Sequence, residues 1–175
     1  KEKKHQNKDG NLYKEVEIKS DNNVLKYSWM IRKGYSIKQK TEYMVKNIDD
    51  LDKILNLPYK SYKLNLDNFF KIRRDLGDLG VPLICISDPL ESVCDLIPID
   101  KFYLWLKTDF KKILQLFELF YERTLTYVRY LLENDVGSCF WIGGSEYCGP
   151  PHTSVDLWKE LVFQYDNRII DLIHK

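Results

Sequence analysis

The chain has 175 residues, 44% of them hydrophobic and 30% charged, ordinary values for a soluble domain with one substantial core. Lys plus Arg number 27 against 26 Asp plus Glu, so no broad electropositive field recommends a nucleic-acid partner. No apolar run approaches the roughly 20 residues needed to span a bilayer, and no signal-peptide pattern is present.

The basic cluster Lys1-Glu-Lys-Lys4 reads as a frayed, solvated terminus. Asn11–Ile18, Val24–Arg32 and Ser36–Val45 are rich in β-branched and aromatic residues and read as antiparallel strands, with Asp21-Asn22-Asn23 turning the first into the second. A short helix is expected over Asp49–Leu55, capped by Asn47 or Asp49 and followed by Pro58. Residues 1–60 therefore form an antiparallel β and short-helix extension. Glu17 and Glu42 are most simply exposed charges on its sheet face.

From residue 61 the pattern changes to helix, strand, helix, strand, helix. Asp67–Leu76 has helical spacing, and Gly77 and Gly80 suit its exit. Val81–Ser87 is a nearly continuous apolar run, the pattern of a parallel strand buried on both faces. Asp88-Pro89-Leu90-Glu91 reads as a helix start, with Asp88 capping, Pro89 at the first helical position and Glu91 placed for a reciprocal contact. Ile99–Asn134 keeps a 3.6-residue apolar period and can be two helices meeting near Lys107–Phe110. Gly137 ends it, and Cys139–Ile142 reads as the second buried strand. Thr153-Ser-Val-Asp156 fits the capping pattern for a last helix over Val155–Ile173. Two strand-to-helix units in succession indicate α/β architecture.

Polar groups at the carboxyl ends of such strands are the candidates for chemistry. Glu146 can ligate a metal, orient a substrate or act as acid or base, its pKa rising if buried; as a plain loop carboxylate it would bond backbone N–H groups. Ser145 can donate to a substrate carboxylate or stabilise the turn, and His152 can face the pocket or the solvent. Ser87 and Asp88 end the other strand, where Asp88 serves equally as a cap. Cys148 has no neighbouring base in sequence and reads as an inert thiol. Gly143, Gly144 and Gly149 do not form a phosphate loop and are suited to close backbone approach. The four cysteines include no Cys-x-x-Cys pair, which fits a reduced, cytoplasmic setting without a structural zinc site.

The segment Val81-Pro-Leu-Ile-Cys-Ile-Ser-Asp-Pro-Leu-Glu-Ser-Val-Cys-Asp-Leu96 resembles the strand-loop-helix of uroporphyrinogen decarboxylase-like proteins, a Pro-Leu-Ile strand followed by a Gly-x-Pro loop. Cys139 to Lys175 resembles their later strand and loop, the helix start Pro-Pro-x-x-Ser, and the run around Phe163-Gln-Tyr165 and Arg168-Ile-Ile170. Asn47–Leu57 is similar to the segment before the first barrel elements in the methyltransferase-like branch. The resemblance implies an α/β fold in which residues 61–175 are the N-terminal part of a (β/α)8 TIM-type barrel, a fold of about 250 residues.

The Gly-Gly-Ser-Glu-Tyr147 loop resembles the corrinoid-dependent methyltransferase-like branch. The Arg-rich N-terminal motif and Asp-Ser-Trp loop of true decarboxylases are missing. The resemblance implies a methyltransferase in which zinc activates a thiol-type acceptor. A partner corrinoid protein, docked above the barrel mouth, carries the methyl group to or from a small-molecule donor or acceptor. It allows a homodimer. The family's zinc-binding His-x-Cys pair is not present in this chain. A silent ligand-binding or oligomerisation module, and a decarboxylase of a tetrapyrrole or smaller acid, are the alternatives.

Overall fold

A computed structural model describes residues 1–20, 23–61 and 63–175. Its N-terminal segments build a four-stranded antiparallel sheet in the order β1 (Glu2–Gln6), β2 (Leu12–Ser20), β3 (Asn23–Ile31), β4 (Lys38–Glu42). Strand β1 corrects the expectation of a frayed terminus. Its side chains are exposed, yet it pairs with β2 from Glu2 opposite Val16 to Gln6 opposite Leu12. The cause is the turn that follows: the Asn7 side-chain oxygen accepts from Asp9 and Asn11 N–H at 3.1 and 2.9 Å, and Gly10 supplies a φ of +81°. The expected Asp21-Asn22 turn lies outside the described residues. The third expected strand shortens to β4, and the ladder shifts register at Ser28/Trp29. Glu17 bridges Lys19 and Lys26, each at 3.2 Å.

Helix α1 (Asp50–Leu55) begins one residue later than expected; Asp49 holds the cap position without a side-chain bond, and the Asn47 oxygen, in the turn before it, accepts from Asp49 and Asp50 N–H at 3.1 and 3.2 Å. Asp50 is buried and accepts from Lys46 N–H, Asn47 N–H and the Lys53 ammonium at 2.9, 3.2 and 2.6 Å. Burial pushes its pKa up, but these donors outweigh burial and hold the carboxyl below its usual range.

The chain divides into two units, one comprising Lys1–Pro58 with Cys94–Ile113 and the other Tyr59–Val93 with Leu114–Lys175. In the first, Val45 N–H donates to the Leu96 carbonyl, and Lys40 bonds both the side chain and the carbonyl of Asp95. Within the second lie α2 (Asp67–Leu76) and the parallel pair β5 (Leu83–Ser87) and β6 (Cys139–Gly143), in register from Leu83 opposite Cys139 to Ser87 opposite Gly143. Helix α3 (Pro89–Cys94) leaves β5. Helices α4 (Ile99–Thr108) and α5 (Phe110–Glu133) break at Asp109, inside the span expected for their junction.

Strands β5 and β6 do not have two buried faces. Ile84, Ile86, Phe140 and Ile142 point to the covered side, whereas Leu83 and Trp141 on the other are 55% and 58% exposed. Among the described residues this sheet has two strands, and nothing covers its second face. At the end of α5 the left-handed residue is Asp135, with Val136 N–H returning to the Leu131 carbonyl at 2.9 Å. The cap of the last helical run shifts by one from expectation: Ser154 Oγ accepts from Leu157 N–H at 3.2 Å. That run continues as α6 (Val155–Trp158), a π-helical turn at Lys159–Phe163 and α7 (Gln164–Ile173). Tyr165 is buried between Phe117 and Tyr121, ring centroids 5.8 and 5.3 Å away, and donates to Glu118 at 2.8 Å. Among the described residues no helix is long and apolar enough to cross a membrane.

Candidate functional site

The carboxyl ends of β5 and β6 are joined by backbone. Asp88 N–H donates to the Gly143 carbonyl at 2.9 Å, one step beyond the Ser87–Gly143 pair. That bond uses the N–H a reciprocal Glu91 contact would need, so Glu91 does not close the capping box. The cap itself forms: Asp88 Oδ1 accepts from Glu91 N–H at 2.6 Å, with Pro89 opening α3. Pressing on the Asp88 carboxyl from the other strand is Gly144, at φ +130°; a Cβ there would lie 2.0 Å from Oδ1. Both its angle and its contact admit only glycine.

Asp88 is 1% exposed, and among the described residues its Oδ2 has no hydrogen-bond partner. Burial is the main reason its pKa is pushed up to about 7; the Glu91 N–H opposes this, and the charges of Asp166, Glu91 and Glu146 add to it. A carboxyl of this kind is partly protonated at neutral pH. Asp166, brought in by α7, is pushed up to about 6 by burial. Sequence reasoning missed it. The available signal was an acidic residue between Tyr165 and Ile169, both on the buried face of an amphipathic helix.

Glu146 sits in the short 3₁₀ turn Ser145–Tyr147 and is exposed. It folds back so that Oε2 accepts from Gly144 N–H at 3.0 Å, and its charge reaches Asp88. The strand ends therefore gather Asp88, Glu91, Glu146 and Asp166, a carboxyl cluster with a buried member and a solvent-facing one. Ser145 and His152 are exposed, with His152 N–H donating to the Gly149 carbonyl at 3.0 Å. Ser87 is exposed and lines a separate cleft beside α5. Cys148 is buried, and its thiol is pushed up mainly by that burial, which disfavours a thiolate. Gly144 serves close approach as expected, whereas a side chain at Gly149 would meet nothing within 4 Å.

Among the described residues no group of three His, Cys, Asp or Glu can hold a metal ion. No protein-family model, curated protein or solved structure matches this chain.

Proposed function

We propose that this chain is part of a cytoplasmic (β/α)8 barrel enzyme of the uroporphyrinogen decarboxylase-like superfamily, on its corrinoid-dependent methyltransferase-like branch. The observation that supports this reading best is the parallel β5–β6 pair whose carboxyl ends converge on Asp88 and Glu146, the end at which barrel enzymes place their chemistry. In this reading Glu146 is the residue that meets the small-molecule donor or acceptor. Its carboxylate is held by Gly144 N–H and accepts a hydrogen bond from a polar group of the substrate. Ser145 precedes it in the same turn and His152 follows in the same loop, while the partly protonated Asp88 lowers the negative charge at the strand ends. Zinc and the protein-bound corrinoid come to this reading from the resemblance alone. The described residues do not make a zinc site, so the chemistry assigned to this chain is binding and orientation.

The test is methyl transfer by the full-length gene product, from a methylated corrinoid protein to a thiol, followed by the corrinoid absorption spectrum. Glu146→Gln should lower the rate about tenfold while leaving the melting temperature unchanged, a loss set by one charge-assisted hydrogen bond. Unchanged corrinoid spectra in a protein without stoichiometric zinc would instead support a silent ligand-binding or oligomerisation module. Carbon dioxide release from a tetrapyrrole or smaller acid would support the decarboxylase alternative.

A further inference from the structure

The second unit contains a cleft of about 430 Å³ beside β5 and α5, which neither Asp88 nor Glu146 borders. Among the described residues one cation lines it, Arg123, whose guanidinium carbon lies 4.7 Å from the Tyr59 ring centroid and 5.2 Å from that of Phe120. Its Nε is buried and, among the described residues, has no hydrogen-bond partner. No described carboxylate forms an ion pair with it, unlike Arg73, which pairs with Asp135 at 2.8 Å. Burial accordingly weakens its hold on the proton, with only Tyr59 opposing. The guanidinium thus lies against two rings with no described acid paired to it, and its unpartnered Nε–H is a donor that an anion entering the cleft can take.

We propose that this cleft binds the carboxylate of a small organic acid, with Arg123 as its charged anchor. The guanidinium offers a planar fork of donors matched to a carboxylate's two oxygens. Ser87 and Thr124 add hydroxyls, while the Ser92 hydroxyl is already committed to the Asp88 carbonyl at 3.1 Å. The rings of Tyr59, Phe120 and Tyr127 suit an apolar body attached to the acid. Phosphate fits less well. A dianion calls for more positive charge, and no lysine or second arginine is among the described residues lining the cleft. The assignment is independent of the methyltransferase reading, because it draws on a different set of residues.

The experiment titrates the 175-residue chain with benzoate, benzamide and inorganic phosphate in a carboxylate-free buffer, following the Arg123 Nε–Hε resonance by ¹⁵N NMR. Benzoate should shift that resonance saturably, benzamide should not, and phosphate should bind more weakly. Arg123→Gln should weaken benzoate binding roughly ten- to a hundredfold. Arg123→Lys, which keeps stem and charge without the fork, should fall between it and the parent and guards against a folding defect. An equal response to benzamide, tighter binding of phosphate, no saturable shift, or full benzoate affinity in folded Arg123→Gln would each overturn the proposal.

Discussion

Replacing Asp88 by Asn should remove most of a pH dependence that the native fold carries. In the unfolded chain this carboxyl titrates near 3.9; in the fold it is pushed up to about 7. The native state therefore holds more protons through that window, and stability must fall as pH rises from about 4 to about 7, then level off. Integrating over both titrations gives a loss of about 2.5 kcal/mol between pH 5 and pH 8 from this one group. The residue is 1% exposed, so solvent does little to screen the effect. Asn keeps an oxygen for the Glu91 N–H and is itself a good cap, so its cost is a constant offset rather than a slope. A shallower slope of the same sign should remain from Asp166, pushed up to about 6. Urea unfolding of parent and Asp88→Asn at pH 5, 6, 7 and 8 measures the difference, and ¹³C NMR of the Asp88 carboxyl reads its titration directly. Parallel stability curves for the two proteins, or an Asp88 midpoint near 4, would refute the reasoning.

Gly144→Ala should cost about 3 kcal/mol in urea unfolding, from left-handed strain plus collision with the Asp88 carboxyl. In an Asp88→Ala background the collision disappears and the penalty should shrink by about 1 kcal/mol or more, a coupling read by the double-mutant cycle. Asp50→Ala should destabilise by about 2 kcal/mol at neutral pH, because two backbone N–H groups and the Lys53 ammonium lose their acceptor. Its sign with pH is opposite to that of Asp88. The Asp50 carboxyl is held below its usual range, so its contribution is present above about pH 4 and disappears as pH falls further. The gap between parent and variant should close on acidification.

Local signals carried much of this fold. Helix α2 spans the residues its periodicity selects, and Asp109 breaks the long helical stretch where charged and polar residues interrupt it. Strand β1 was illegible because Glu2-Lys-Lys-His-Gln6 has no apolar alternation; its pairing comes from the Asn7–Gly10 turn and from β2. The apolar content of β5 and β6 announced strands, but composition does not say what covers each face, and one face of this pair is open. At the site, the sequence showed Asp88 as a helix cap, which it is. Its protonation was not legible, because that depends first on burial by distant parts of the chain, Gly144 among them, and then on the charge of Asp166. Arg123 looked like any charge between apolar helix positions; only Tyr59, far away in sequence, makes its surroundings unusual.

The open face of β5 and β6 also carries two of the four thiols. Cys85 and Cys139 are exposed, and the register, with Leu83 opposite Cys139 and Cys85 opposite Trp141, sets both on one side of the pair. Cys94 and Cys148 are buried. A maleimide dye would thus tag adjacent strands at two sites and spare the interior ones. Should further polypeptide ever seat against that side, both handles would vanish from the reagent together, turning an ordinary labelling ratio into a gauge of assembly.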